Sequence, residues 1–254
     1  MSDFLALALP GVQKLSPYVP GKPIETLARE LDLDPAHIVK LASNENPLGP
    51  SPKALAAIQA ALPELTRYPD GSGYALKTKL SERYGLKPEQ ITLGNGSNDI
   101  LDLVARAWLA PGLNAVFSQY AFAVYPISTQ AVGAEGRSVP ARDYGHDLDA
   151  MLAAIDENTR VVFVANPNNP TGTWFGPAAL ERFLQQVPAH VLVVLDEAYI
   201  EFAEGDDLPN GLEYLDRFPN LIVSRTLCKA YGLAGLRVGY IRTKQGWVYL
   251  TSVI

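Results

Sequence analysis

The sequence predicts an α/β fold in which a mostly parallel sheet is flanked by helices on both faces. Short apolar runs rich in β-branched residues alternate along the chain with amphipathic segments of helical period. The run at 191–195, Val-Leu-Val-Val-Leu, is apolar throughout, which is typical of strands covered on both faces in parallel sheets. Such sheets bind ligands beyond the carboxyl ends of their strands, so the residues that follow each strand are candidates for a site.

The elements follow in chain order from these two kinds of pattern. Apolar β-rich runs predict strands at 91–93, 115–117, 161–165, 191–195, 221–224 and 237–241. Amphipathic segments predict helices at 52–62, 75–84, 99–108, 121–132, 148–155 and 177–186. Residues 1–9 are apolar but lack the basic start of a signal peptide, so we expect a short helix that ends at Pro10 and Gly11. The proline- and glycine-rich stretch at 44–52 predicts an ordered loop.

Composition limits the classes of function. A chain of 254 residues with 48% apolar residues can bury the core of one large domain or of two modest ones. Its net charge of −6 offers no basic surface for nucleic acid or an anionic membrane, and no apolar stretch approaches the roughly twenty residues of a membrane span. One cysteine forms no internal disulfide framework, and no zinc-type spacing of cysteine and histidine occurs. We therefore expect a cytoplasmic enzyme without a nucleic-acid or membrane partner.

A glycine-rich turn at 94–99, Gly-Asn-Gly-Ser-Asn-Asp, follows the strand at 91–93 and opens a helix. Glycines allow close backbone approach, and the free N–H groups of a helix start bind phosphate. Ser97 and Asn98 are equally good helix caps, so the turn alone does not decide between a cap and a phosphate site. A dinucleotide fingerprint would place a third glycine where Asp99 stands, which disfavours NAD.

Polar residues also follow the next two apolar strands. The segment at 166–172, Asn-Pro-Asn-Asn-Pro-Thr-Gly, is either a strand-ending loop or a rigid turn that aims amide side chains into a site. Asp196 directly follows the strand at 191–195 and is either a helix cap or the carboxylate that keeps a pyridine nitrogen protonated. Tyr199, three residues later, could face the same way. Its hydroxyl could then donate to a phenolic oxygen on the same pyridine ring.

A lysine follows the strand at 221–224. Burial lowers the pKa of a lysine, and a lysine with a lowered pKa is what covalent chemistry with an aldehyde uses. The alternative for Lys229 is a solvated surface residue, which the polar residues at the other strand ends disfavour. Arg237 lies eight positions further on and could anchor a phosphate.

Six motifs in this order resemble the aspartate-aminotransferase-like (fold type I) family of pyridoxal-phosphate enzymes, and within it the histidinol-phosphate aminotransferases. The resemblance extends from about Tyr18 to Tyr240. The motifs are Leu-Ala-Ser-Asn-Glu-Asn-Pro at 41–47, Tyr-Pro-Asp at 68–70, the turn at 94–99, the segment at 166–172, Asp-Glu-Ala-Tyr at 196–199, and 229–237 from the lysine to the arginine.

The resemblance implies a pyridoxal 5′-phosphate cofactor and a role for each matching residue. Lys229 would bind the cofactor covalently and then carry the proton of the substrate carbon. Asp196 would pair with the pyridine nitrogen, and Asn169 and Tyr199 would hold the 3′-oxygen. Tyr120 would stack on the ring, although ordinary aromatic packing is the alternative.

The remaining roles concern the phosphates and the substrate. The cofactor phosphate would be bound by four residues of this chain, Ser97, Asn98, Thr226 and Arg237. Tyr68 would reach the cofactor of a neighbouring subunit, because members of the family are homodimers with shared sites. Tyr18 and Asn44 would contact the substrate, although the proline-rich arm around Tyr18 could equally be a strap between subunits.

The implied reaction is transamination without a metal. Glutamate would give its amino group, leaving 2-oxoglutarate, and imidazole acetol phosphate would receive it to become histidinol phosphate. Another enzyme of the same cofactor class, such as an aromatic aminotransferase or a threonine-phosphate decarboxylase, is an alternative. An inactive remnant is a further alternative.

Two features depart from the pattern of the family. Cys228 stands directly before the lysine, where relatives usually carry serine, and a thiol is a weaker hydrogen-bond donor than a hydroxyl. From residue 241 the sequence does not continue as the family does. We therefore expect an N-terminal arm at 1–40, a cofactor-binding large domain at 41–240 and an unrelated tail at 241–254. On this view the C-terminal small domain, with its arginine for the substrate carboxylate, is largely absent.

Overall fold

A seven-stranded sheet forms the centre of the structure, a computed structural model that describes residues 4–203, 205 and 207–244. Its strands are β1 (Ile91–Asn95), β2 (Asn114–Ser118), β3 (Glu135–Val139), β4 (Thr159–Ala165), β5 (Leu192–Asp196), β6 (Leu221–Thr226) and β7 (Val238–Thr243). Their order across the sheet is β1-β7-β6-β5-β4-β2-β3. β7 runs antiparallel to both of its neighbours, β1 and β6, whereas the other pairs are parallel.

The described chain also contains α-helices, and the later ones, from Tyr74 onward, pack on the sheet. The helices are α1 (Pro10–Gln13), α2 (Ile24–Leu31), α3 (Pro52–Ala61), α4 (Tyr74–Tyr84), α5 (Gly96–Trp108), α6 (Val124–Ala131), α7 (Leu148–Ala153) and α8 (Pro177–Gln186). Local sequence sets several of their ends. Ser51 caps α3 by accepting a hydrogen bond from the Ala54 N–H at 3.2 Å. α4 ends where Gly85 adopts a φ of 67°, a left-handed conformation that glycine takes without strain.

The central strands are buried on both faces. Along β4, Val161 and Phe163 pack with α5 and α6, whereas Val162 and Val164 pack with α7 and α8. This split follows from the strand itself, since successive side chains point to opposite faces of a sheet. The apolar run without polar alternation is therefore explained, and the predicted α/β fold with a mostly parallel, helix-covered sheet is confirmed.

Buried charge lies between α4 and the strands β6 and β7. Arg225 of β6 donates from Nε to Glu197 Oε2 at 2.9 Å, and both side chains are less than one-tenth exposed. Glu197 Oε1 accepts a hydrogen bond from the Gly211 N–H at 2.6 Å. Arg242 of β7 is fully buried, with its guanidinium carbon 3.7 Å from the ring centroid of Tyr84. The ion pair between Arg225 and Glu197 is costly to break, because a charge left alone in the interior is strongly destabilising.

The observed elements correct several predicted boundaries. The helix predicted at 177–186 has the observed bounds of α8, but α5 begins three residues before the predicted 99, and the predicted helix at 121–132 begins later, at Val124. The first described residues form a 3₁₀ turn, Phe4–Leu7, and α1 follows, so Pro10 starts a helical turn and does not end one. Among the α-helices and strands, α1, α2 and β3 were not predicted.

Two further points concern the predicted ranges. The last strand extends to Thr243, two residues beyond the predicted end at 241, and the remainder of the predicted tail at 245–254 lies outside the described residues. The predicted division into an arm, a large domain and a tail stays a prediction. No helix in the described part of the chain is long and apolar enough to cross a membrane.

Candidate active site

A cavity of about 280 Å³ lies at the carboxyl edge of the parallel strands. Ten of the twelve predicted site residues line it: Tyr18, Asn44, Ser97, Asn98, Asn169, Asp196, Tyr199, Thr226, Lys229 and Arg237. They come from segments that are far apart in the sequence. The chain therefore brings the polar strand ends together at one place, as the parallel sheet leads us to expect.

The reversed direction of β7 explains how Arg237 joins this group. β7 runs antiparallel, so its first residue lies at the same edge as the last residues of β1 and β6. Arg237 directly precedes β7 and has a φ of 54°, a left-handed backbone that is uncommon for a residue with a side chain. Lys229 and Arg237 are thus the two ends of one loop that leaves the cavity edge and returns to it.

One end of the cavity has the chemistry of an anion site. The first turn of α5 carries Ser97 and Asn98, and backbone N–H groups at a helix start favour negative charge. The guanidinium of Arg237 lies across this turn, where Nη2 donates to the Asn95 carbonyl at 3.4 Å. Gly96 makes the close approach possible, because a Cβ at this position would lie 2.9 Å from Arg237 Cζ. A phosphate bound here would receive donors from both the helix start and the arginine.

The residues of the loop after β6 complete this end. Thr226 Oγ1 donates to the Val238 carbonyl at 3.1 Å and accepts from the Cys228 N–H at 3.1 Å. The buried Cys228 also lines the cavity, and its Sγ accepts a hydrogen bond from Arg237 Nη1 at 3.4 Å. Cys228 therefore contacts the arginine directly.

The floor of the cavity holds a buried carboxylate. Asp196 Oδ2 accepts a hydrogen bond from the Tyr125 hydroxyl at 2.9 Å, and Oδ1 accepts from the Ala198 N–H at 3.2 Å. Burial raises the pKa of Asp196 to about 6, and these two hydrogen bonds oppose the rise. The carboxylate is ionised at neutral pH and can pair with a cationic ring N–H in the cavity.

Lys229 and Tyr199 face the cavity from opposite loops. Lys229 Nζ donates to the Ser43 carbonyl at 3.1 Å and lies 5.7 Å from the centroid of the Tyr199 ring. Burial lowers the pKa of Lys229, which increases the fraction of nucleophilic neutral amine. Burial raises the pKa of Tyr199, and its hydroxyl accepts a hydrogen bond from Asn44 Nδ2 at 2.9 Å, which opposes that rise.

The three asparagines after β4 have different surroundings. Asn166 exchanges hydrogen bonds with the backbone of Phe175, at 3.1 and 3.0 Å. Asn168 Nδ2 donates to the Tyr120 carbonyl and to Thr171 Oγ1, both at 2.8 Å. Both asparagines thus stabilise the loop itself. Asn169 lines the cavity and is the asparagine of the three that the resemblance gave a role in binding.

Two predicted residues are not brought to the cavity. The ring of Tyr120 stacks on Tyr144, with centroids 5.4 Å apart, and does not belong to the lining. The alternative of ordinary aromatic packing describes Tyr120 in this structure. Tyr68 is fully exposed and also lies outside the lining. Their proposed roles toward a cofactor stay predictions.

Other residues of the lining were missed by the sequence analysis. The most important are Phe122, just before α6, Tyr125, in its first turn, and Ser43, whose carbonyl accepts from the lysine. No strand end or motif marks Tyr125, which lies in the middle of a predicted helix. No group of three or more His, Cys, Asp or Glu residues that could hold a metal ion occurs among the described residues.

Comparisons with known proteins identify the family. The family model for class I and II aminotransferases matches residues 36–251. The chain is 80% identical over 240 residues to histidinol-phosphate aminotransferase 2 of Pseudomonas aeruginosa, covering 94% of this chain and 65% of that protein. It is 76% identical over 238 residues to histidinol-phosphate aminotransferase 2 of Pseudomonas fluorescens, with 94% and 64% covered.

A solved structure supports the same assignment. The histidinol-phosphate aminotransferase of Sinorhizobium meliloti, in complex with pyridoxal 5′-phosphate, superimposes with a TM-score of 0.83 at 35% identity, covering 92% of this chain and 62% of that one. The chain thus spans somewhat less than two thirds of the length of these relatives. The family model covers far more than half of the chain. This protein therefore belongs to the class I and II aminotransferase family.

Proposed function

We propose that this chain binds pyridoxal 5′-phosphate and transfers an amino group between L-histidinol phosphate and 2-oxoglutarate, a step of histidine biosynthesis. One observation carries the proposal: a lysine with a lowered pKa, a buried carboxylate and an arginine beside a helix start line one cavity. The high identity to enzymes named for this reaction supports the choice of substrate.

The residues of the cavity fit this cofactor. Its phosphate needs an anion site, which Arg237 and the start of α5 offer, with room made by the missing side chain of Gly96. Its pyridine nitrogen needs a carboxylate, and its aldehyde needs an amine of lowered pKa; the buried Asp196 and Lys229 meet these needs. When bound, the cofactor supplies an aldehyde that accepts the amino group and a ring that withdraws electrons from the reacting carbon.

The residues of this chain would divide the work. Arg237, together with Ser97, Asn98 and Thr226, would hold the phosphate and fix the orientation of the ring. Asp196 would keep the proton on the ring nitrogen. Asn169 and Tyr199 would hold the phenolic oxygen, and Lys229 Nζ would move the proton from the substrate carbon to C4′ of the cofactor.

Substrate and partner contacts are part of the same proposal. Tyr18 and Asn44 line the cavity and would contact the substrate. We propose a homodimer in which Tyr68 reaches the cofactor of the neighbouring subunit, and its full exposure leaves it available for such a contact. The domain division at residues 40 and 240 and a cytoplasmic location complete the proposal.

The experiment begins with the purified chain and pyridoxal phosphate. Binding through Lys229 gives a visible absorbance band at longer wavelength than that of the free cofactor. Lys229→Ala removes this band. Lys79→Ala serves as the control, because Lys79 is an exposed lysine that pairs with Glu82 on the surface of α4. The loaded chain then converts L-histidinol phosphate and 2-oxoglutarate to glutamate. A chain that gives no band, or a band that persists in Lys229→Ala, contradicts the proposal.

A further inference from the structure

The hydroxyl of Tyr125 contacts the buried carboxylate of Asp196. No other aromatic residue that lines the cavity makes this contact in the described part of the chain. Tyr125 belongs to α6, is 1% exposed, and donates to Asp196 Oδ2 at 2.9 Å. It has no role in the set of residues that the sequence motifs single out. Its contact with Asp196 therefore needs an explanation of its own.

The ring of Tyr125 is fixed by two other rings. It stacks on Phe163 of β4 with centroids 4.8 Å apart and planes 6° apart. The ring of Phe122 is nearly perpendicular to it, with the centroids 5.9 Å apart and the planes at 89°. These contacts leave the hydroxyl in one place, because stacked and edge-to-face pairs in a packed core hold a side chain in a single orientation.

The hydroxyl is a permanent donor. Burial raises the pKa of Tyr125 well above its ordinary value, and the neighbouring charge of Asp196 raises it further. The phenol therefore remains protonated throughout the pH range in which the carboxylate titrates. Since the ionised carboxylate can only accept hydrogen bonds, the contact has one direction and favours the charged form.

Other charged and titratable groups act on the same carboxylate. Glu197, the next residue, raises the pKa of Asp196, although its own carboxylate is paired with Arg225. Lys229 lowers the pKa from across the cavity. Tyr199 faces Asp196 as a further titratable group. Among these influences, the hydrogen bond of Tyr125 is the largest that opposes burial.

We propose that Tyr125 is a positioning residue that holds the Asp196 carboxylate in one orientation and in its ionised form. This inference rests on the proposed function, since the ionised carboxylate is the form that pairs with the ring nitrogen of the cofactor. Tyr125 would act on the cofactor only by way of Asp196. The core of the protein, by this route, sets the charge state of the site.

The test measures the titration of Asp196 in the cofactor-free chain. Carbon-13 at the aspartate carboxyl gives a resonance that is identified by its loss in Asp196→Asn. Tyr125→Phe keeps the ring and removes the hydroxyl, and we expect the midpoint to rise from about 6 by about one to two pH units. The control, Tyr240→Phe, removes another fully buried hydroxyl, one whose neighbours are Tyr84 and Arg242 and which does not act on Asp196, and leaves the midpoint unchanged.

A second measurement uses the unaltered sequence and covers the case in which Tyr125→Phe does not fold. With carbon-13 at tyrosine Cζ, the resonance of Tyr125 should shift with the same midpoint as Asp196. Asp196→Asn should remove that step. An Asp196 midpoint that is equal in the unaltered chain and in folded Tyr125→Phe, or a Tyr125 resonance without a step, overturns the proposal.

Cofactor binding separates this inference from the proposed function. The dissociation constant of pyridoxal phosphate, measured against pH, should rise on the acid side, and Tyr125→Phe should move that rise to higher pH by the same interval. A chain that shows the coupled titration but binds no pyridoxal phosphate refutes the proposed function alone. If the unaltered chain and Tyr125→Phe both bind pyridoxal phosphate with the same pH profile, the role of Tyr125 alone is refuted.

Discussion

Adding one methyl group at Gly96 tests the phosphate end of the site. Gly96 has a φ of 77° and begins α5. A Cβ at this position would collide with Arg237 Nη2 and lie 2.9 Å from Cζ. In Gly96→Ala the guanidinium therefore has to move away from the helix start. The arginine would then no longer share a bound phosphate with Ser97 and Asn98.

The expected effect has two parts. A left-handed backbone costs an alanine about 1–2 kcal/mol, which lowers the free energy of unfolding. Loss of one hydrogen bond between a charged donor and the phosphate costs a further ~1.5–3 kcal/mol of binding, or about 10- to 150-fold in the dissociation constant. Gly85→Ala carries the first cost without the second, because Gly85 has a φ of 67° and a Cβ there meets no atom within 4 Å.

The assay compares the two variants with the unaltered chain. Each is titrated with pyridoxal phosphate while the visible absorbance is recorded, and each is unfolded in urea. We expect similar losses of unfolding free energy in both variants and weaker cofactor binding in Gly96→Ala only. If Gly96→Ala binds the cofactor within about twofold of Gly85→Ala, Arg237 and the helix start do not form one phosphate site.

Three further predictions concern other contacts of the structure. Cys228→Ser replaces the thiol whose Sγ accepts from Arg237 Nη1 by a hydroxyl, which is a stronger donor to a bound phosphate, and should lower the dissociation constant of pyridoxal phosphate by about 2- to 10-fold; unchanged affinity in the same titration contradicts it. Asp196 binds a proton in the folded chain between pH 3.8 and about 6, where the unfolded chain releases it, so the unaltered chain loses stability as pH rises through this range. Cofactor-free Asp196→Asn should therefore be more stable at pH 7 by up to about 3 kcal/mol in urea unfolding, and a gain that persists at pH 4 contradicts the linkage. Arg225→Met leaves the buried Glu197 without its partner and should cost about 3–5 kcal/mol, whereas Arg217→Met at a surface pair should change the urea midpoint little; equal losses would show that burial does not decide the cost.

The strand-end residues could be predicted because the geometry of a parallel sheet is simple. Asp196 and Thr226 are the last residues of β5 and β6, and Asn169 and Lys229 follow shortly after β4 and β6. Carboxyl ends of parallel strands meet at one edge. Any polar residue that follows a buried apolar run was therefore a reasonable candidate, and the structure brings these four to one cavity.

Other features carried no such signal. β3 has the sequence Glu-Gly-Arg-Ser-Val and lies at the edge of the sheet, where exposed polar side chains are tolerated and no apolar run is needed. The place of Arg237 depends on the reversed direction of β7, which the apolar pattern of a strand does not reveal. Tyr125 reaches the carboxylate through the rotation of α6 about its axis, and a rotation within a packed core depends on tertiary contacts.

The antiparallel position of β7 also has a consequence for the order in which the chain can fold. In the described sheet β1 is an edge strand whose pairing partner is β7, so Ile91 pairs with Arg242 from near the other end of the described residues. During synthesis, β1 leaves the ribosome long before its partner. Closing so long a loop is entropically costly, and contacts between distant parts of a chain form slowly. The glycine-rich turn at the start of α5 therefore reaches its place beside Arg237 only after almost all of the described sheet has been translated.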